Sequence, residues 1–146
     1  MDEKDEKILM LLKENSKLTT HQISKKTLMP ITTVHNRIKK LEKEGIIEGY
    51  TIRLNNKKIG RPIAAYVHIV VDYKLMKEKK ISQHELAKKL KQREFVEEAS
   101  MVAGPTDIII KVRVKDIEEL DNFVTKYLRN VEGIEKTQTM VVLNEI

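Results

Sequence analysis

Thr32, Thr33, His35, Asn36, Arg37, Lys39 and Lys40 crowd into a single short stretch and offer hydroxyls, an imidazole, a carboxamide and three cations. That inventory can hydrogen-bond base edges and neutralise phosphates in a DNA major groove. Interleaved with it, Ile31, Val34, Ile38 and Leu41 recur at steps of three and four, which stacks them on one buried helical face and leaves the polar set on the other. If the N-terminal half of such a helix lies deepest in the groove, Thr32, Thr33, His35 and Asn36 read bases while Arg37, Lys39 and Lys40 hold phosphates. A plain amphipathic helix with a solvated polar face has the same pattern, so the rest of the chain has to separate the two readings.

The elements around this stretch predict a helix-turn-helix. A first helix is expected from Glu3 to Glu14, capped by Asp2, with Ile8, Leu9, Leu11 and Leu12 turned inward. Thr19 and Gln22 form a capping box for a short second helix. Leu28, Met29 and Pro30 break the chain, Pro30 suits the start of the third helix, and Gly45 suits its end. Beyond it, Ile46 and Ile47, then Tyr50, Ile52 and Leu54, predict two short strands pivoting on Glu48 and Gly49, a wing. Residues 1–54 thus read as a winged helix-turn-helix domain, and the turn-rich residues 55–61 as a linker.

Charge is concentrated where this reading needs it. Residues 16–60 hold 10 Lys and Arg against 3 Asp and Glu, a net +7, whereas residues 61–146 hold 15 against 14. A basic domain joined to a nearly neutral one points to a polyanion reader attached to a module with another task. A long uncharged apolar run is lacking, so no membrane partner is expected, and the charged start MDEKDEK is unlike a signal peptide. With no cysteine there is no disulfide or thiolate zinc site, and a cytoplasmic location fits.

Residues 62–146 read as the second module. Alternating apolar residues predict a strand from Pro62 to Tyr73, and the charged stretch that follows predicts a loop. Ser82 and Glu85 form another capping box for a helix to Gln92. Strands follow over Phe95–Ala103 and Asp107–Val114, then a helix with Ile117, Leu120, Phe123, Val124, Tyr127 and Leu128 inward, and a last strand over Ile134–Leu143. The order βαββαβ is a ferredoxin-like α+β arrangement, an antiparallel sheet with its helices on one face. The bare sheet face and strand edges favour a homodimer, which would also pair two reading helices on a near-palindromic site. His21, His35, His68 and His84 lack metal-ligand spacing, and no phosphate loop or nucleophile motif appears. No enzyme activity, cofactor or metal is therefore expected.

The segments DEKDEKILMLL, TVHNRIKKLEKEGII, AGPTDIIIKVRVKD and GIEKTQTMVVL, in this order, resemble the Lrp/AsnC (leucine-responsive, feast/famine) family of transcription regulators, particularly its archaeal members. The resemblance implies a dimer that often assembles to an octamer, binds double-stranded promoter DNA through the first domain, and senses an amino-acid-like effector through the second. It puts the effector near the turn Gly104–Asp107. There Gly104 lets a ligand approach the backbone, Asp107 can accept from an ammonium group, and the hydroxyls of Thr106, Thr137 and Thr139 can help. Relatives tend to carry glycine at the place of Leu28, serine at that of Pro30 and often tyrosine at that of Thr106. Two other classes of function compete with this reading: an architectural protein coating DNA without base preference, and a metabolite-binding module or enzyme whose ligand binding survives deletion of residues 1–60.

Overall fold

Three short-range devices start three of the six α-helices in the computed structural model, which describes residues 1–146. Asp2, Thr19 and Ser82 each accept a backbone N–H with the side chain, while Asp5, Gln22 and Glu85 reach back to the N–H of the capping residue. These reciprocal bonds satisfy donors that a helix start would otherwise leave bare. The chain divides into two compact units, Met1–Arg53 and Leu54–Ile146, so residues 55–61 belong to the second.

In the first unit α1 (Glu3–Glu14), α2 (Thr20–Thr27) and α3 (Ile31–Lys43) enclose a core of Ile8, Ile23, Met29 and Val34, with Leu41 buried as well. Of the stripe expected on α3, Ile38 is half-buried, and Ile31, the first residue of the helix, is exposed. The wing differs from expectation. Residues 46–54 pair in no ladder. Instead the N–H groups of Ile46 and Ile47 both donate to the Leu41 carbonyl, and Tyr50 donates to Glu42 at 2.9 Å. The alternation that suggests strands is present, but in a single chain these short runs find no partner edge, and Tyr50, Ile52 and Leu54 remain exposed.

The turn before α3 carries a cost. Leu28 takes the left-handed conformation at φ 56° and is 92 % exposed. That conformation costs an L-residue roughly 1–2 kcal/mol, and an exposed side chain recovers none of it by packing. Leu28→Gly is expected to stabilise the protein by about 0.5–1 kcal/mol, the strain relief being partly offset by the greater chain entropy of glycine. An upward shift of the thermal midpoint checks this; a downward shift would mean that the Leu28 side chain packs in solution.

The second unit holds a four-stranded antiparallel sheet in the order β2-β3-β1-β4, formed by β1 (Ile63–Val71), β2 (Val96–Met101), β3 (Ile108–Val114) and β4 (Ile134–Val141). Ala65, Val67, Ile69, Ile108, Ile110 and Val112 turn from the central strands toward Leu86, Leu90, Phe123 and Leu128. The charged stretch after β1, expected to loop, is helix α4 (Tyr73–Lys79), because Asp72 caps it through the Leu75 N–H and Met76 buries into the core. After α5 (Gln83–Lys91), the helix expected past Asp116 begins as α6 (Ile117–Asp121) and widens into a π turn over Asn122–Tyr127. On the other face of the sheet, cross-strand neighbours Tyr66, Lys111 and Met140 share a row, as do His68, Ile109 and Gln138. Tyr66 and Met140 there are 37 % and 42 % exposed. No helix is long and apolar enough to cross a membrane.

Candidate nucleic-acid interface

Helix α3 turns by about 100° per residue, so the side opposite buried Val34 and Leu41 is centred on Thr32, with Asn36 and Lys39 on either side and Lys40 beyond Asn36. Thr32, His35, Asn36, Lys39 and Lys40 are all exposed, and Thr33 is half-buried beside them. The lysines are lightly engaged: Lys39 lies 3.8 Å from Glu42 and Lys40 3.8 Å from Glu44, both pairs largely in water. Contacts of that kind contribute under about 1 kcal/mol and yield readily to a phosphate. Pro30 sits at the N-cap of α3 and provides no side-chain acceptor for its first N–H groups.

Arg37 departs from this group. Expected among the phosphate contacts, its Nη1 donates to both carboxylate oxygens of Asp2 at 2.8 Å and to Asp5 at 2.9 Å. The signal was present in the spacing. Arg37 follows Val34 by three and precedes Leu41 by four, which puts it on the flank of the buried stripe rather than on the polar crest.

At the Gly104–Asp107 turn the structure gathers some of the expected residues and separates others. Gly104 has φ 129° and open space where a side chain would stand. The Asp107 carboxylate accepts the Val71 N–H at 2.9 Å and the Tyr73 hydroxyl at 2.5 Å, and the Asp107 carbonyl accepts from Gln83 at 2.8 Å. Asp107 in turn pushes the Tyr73 phenol pKa upward, chiefly through that hydrogen bond. Thr106 Oγ1 lies 3.3 Å from His68 Nδ1. Thr137 and Thr139 pair with Ile69 and Val67 across the opposite edge of β1, on the helix-covered side, and do not converge on the turn. Nothing in the spacing pairs Tyr73 and Gln83 with Asp107, or His68 with Thr106. They come from three other elements, and only the β1–β3 register and helices α4 and α5 bring them to the turn.

A basic helix displayed beyond a helical turn, joined to a βαββαβ domain, is the make-up of a helix-turn-helix DNA-binding regulator. Residues 1–48 match the winged helix-turn-helix DNA-binding family, and residues 65–146 match the Lrp/AsnC ligand binding domain. The chain belongs to the Lrp/AsnC family of HTH-type transcriptional regulators. It is 38 % identical over 141 residues to an uncharacterized HTH-type transcriptional regulator of Pyrococcus horikoshii, covering 97 % of this chain and 91 % of the relative. It is 34 % identical over 143 residues to the regulator FL11 of Pyrococcus furiosus, covering 98 % and 89 %. A Neisseria meningitidis transcriptional regulator solved as an L-Met complex superimposes with a TM-score of 0.91 at 25 % identity, covering 100 % of this chain and 92 % of that one. E. coli AsnC does so at 0.82 and 25 % identity, covering 99 % and 93 %.

Proposed function

We propose that this regulator reads a specific DNA sequence as a two-fold dimer through α3, and that an amino-acid-like effector binding at the Gly104–Asp107 turn modulates it. The observation that carries the first part is the exposure of Thr32, His35, Asn36, Lys39 and Lys40 on the side of α3 opposite Val34 and Leu41. Thr32, Thr33, His35 and Asn36 face the bases; Lys39 and Lys40 hold the backbone. A second copy covers the sheet face bearing Tyr66 and Met140, and larger assembly, up to an octamer, builds on that dimer.

The effector part rests on Asp107, whose carboxylate oxygens each keep a lone pair beyond the bonds to Val71 and Tyr73. An α-ammonium group fits that acceptor, and Gly104 leaves the approach open. The relative solved with L-Met supports an amino acid as the ligand class.

The test is binding to a duplex that the protein enriches from a random-sequence pool, against a shuffled duplex, at several salt concentrations. Asn36→Ala is expected to lower the preference for the enriched duplex about tenfold, with the salt dependence unchanged. Lys39→Ala and Lys40→Ala should weaken binding to both duplexes, each reducing the slope of log K on log salt by about 0.9. Equal affinity for the two duplexes would instead favour an architectural, sequence-blind role. Adding each of the twenty amino acids to the same assay and to a thermal melt tests the effector. If none shifts either one, or if the shift survives Asp107→Asn, the turn is not the effector site.

A further inference from the structure

We propose that Arg37 is a positioning residue and not a phosphate contact: it clamps α3 onto the capped N-terminus of α1 through Asp2 and Asp5, and so sets how Thr33, Asn36 and Lys40 meet the DNA. The inference rests on the DNA-reading function proposed above and assigns one of its cations a different task.

The acceptors are organised before Arg37 arrives. Asp2 Oδ1 accepts the N–H groups of Lys4 and Asp5, and Asp5 Oδ2 accepts the N–H of Asp2 at 3.0 Å. Two carboxylates are thereby fixed on the first turn of α1, each with an oxygen turned to Nη1 of Arg37. Asp5 is 6 % exposed and follows the inward course of the helix one turn before Ile8. A carboxylate that deep is tolerated only when it is paired and hydrogen-bonded. The Arg37 side chain, 25 % exposed, is its one cationic partner.

Electrostatics weigh against a phosphate at the same place. The caps and Arg37 hold the Asp2 carboxyl at about 2 and lower that of Asp5 as well, so both are ionised at neutral pH. The trio of one guanidinium and two carboxylates then carries a net charge of −1. A phosphate brought to Arg37 meets two like charges within a few ångströms, whereas Lys39 and Lys40 present cations with only one glutamate each nearby.

The consequence for reading follows from helix geometry. Thr33 precedes Arg37 by four residues and Lys40 follows it by three, so both lie directly along the helix from the clamp. With Asn36 they line a single depression of about 460 Å³ shared with Asp2 and Asp5. Loosening the clamp lets α3 roll on its buried stripe, which moves the base-reading side chains while leaving the lysine charge in reach of the backbone.

The experiment compares wild type, Arg37→Gln, Arg37→Lys, Asp5→Asn and the double variant Arg37→Gln/Asp5→Asn on the pool-enriched and shuffled duplexes, below the melting range of each protein. A clamp predicts that Arg37→Gln and Asp5→Asn each cut the preference for the enriched duplex about tenfold, keep the wild-type salt slope, and are not additive in the double variant. Arg37→Lys keeps the charge, but its ammonium ends one bond short of the Nη1 that meets both Asp2 and Asp5, and it is expected to lose preference too. Partial unfolding would weaken both duplexes alike and leave their ratio untouched, so the ratio reports on orientation. A slope reduced by about 0.9 in Arg37→Gln with the ratio unchanged, tighter binding by Asp5→Asn, or full preference in Arg37→Lys would each overturn the clamp. A wild-type protein that enriches no sequence would overturn the DNA-reading function itself, a result recognisable before any variant is made.

Discussion

Ile8→Ala is expected to unfold the first unit and abolish DNA binding while the second unit stays folded. Ile8 is fully buried and meets Ile23, Met29 and Val34 in a core completed only by the half-buried Leu11, Leu12, Leu18 and Ile38. Truncating a buried isoleucine to alanine costs about 2–5 kcal/mol through lost transfer energy and the cavity left behind. A unit of residues 1–53 has little margin, because small domains bury a low fraction of their surface and rarely hold more than about 3–5 kcal/mol. The core of the second unit contains none of these side chains. Hydrogen exchange should therefore show loss of protection confined to α1, α2 and α3, with the amides of β1 and β3 still protected. Ile8→Val, which removes one methylene, should cost only about 0.5–1.5 kcal/mol and retain binding at room temperature. If Ile8→Ala binds DNA as well as the wild type, the core drawn from Ile8, Ile23, Met29 and Val34 does not determine the posture of α3.

What the sequence made legible was whatever a single element decides for itself. The capping boxes at Thr19 and Ser82, the inward Val34 and Leu41 on α3, and the alternation along β1 all depend on spacing within one segment, and each stands as expected. The differences lie where a distant partner decides. Tyr50, Ile52 and Leu54 alternate like a strand, yet a ladder needs a second edge, and the chain offers none there. Lys74–Lys80 reads as a loop because its charge masks one inward Met76 and a cap from Asp72. Arg37 shares its residue type with Lys39 and Lys40, but its spacing from Val34 and Leu41 sets it on the flank of the buried stripe, and Asp2 and Asp5 of another helix decide what it meets. Asp107 offers a carboxylate to a ligand's ammonium, and only the fold shows that the Val71 N–H and the Tyr73 hydroxyl share it. Thr137 and Thr139 offer hydroxyls, and the register of β4 on β1 carries them away from the turn. Residue chemistry named the candidates in each case, and only tertiary register could say which of them meet.

The second large effect is expected at Arg113, on the sheet face proposed to meet a second copy. Arg113 is 5 % exposed, and its guanidinium donates to Glu97 at 2.8 Å and to both carboxylate oxygens of Glu145 at 2.8 and 3.0 Å. Lys111 adds a fourth charge, 3.2 Å from Glu145. Arg113→Gln leaves two glutamates facing each other with only Lys111 between them. Losing one partner of a buried pair costs about 3–5 kcal/mol; here Glu97 and Glu145 are 36 % and 44 % exposed, so solvent screening reduces the expected cost to about 2 kcal/mol. The loss depends on pH in a definite direction. Hydrogen bonds from Arg113 and then from Lys111 hold the Glu145 carboxyl at about 2, against 4.5 when free. A depressed carboxyl pKa stabilises the fold fully above 4.5, and that contribution fades as pH falls from there toward about 2, where the folded protein takes up the proton too. The stability gap between wild type and Arg113→Gln should accordingly be widest at neutral pH and narrow steadily through that acid window. Urea unfolding of both proteins across the range measures it. A gap that stays constant down to about pH 2 would mean that Arg113 acts through the packing of its aliphatic stem and not through its carboxylate partners.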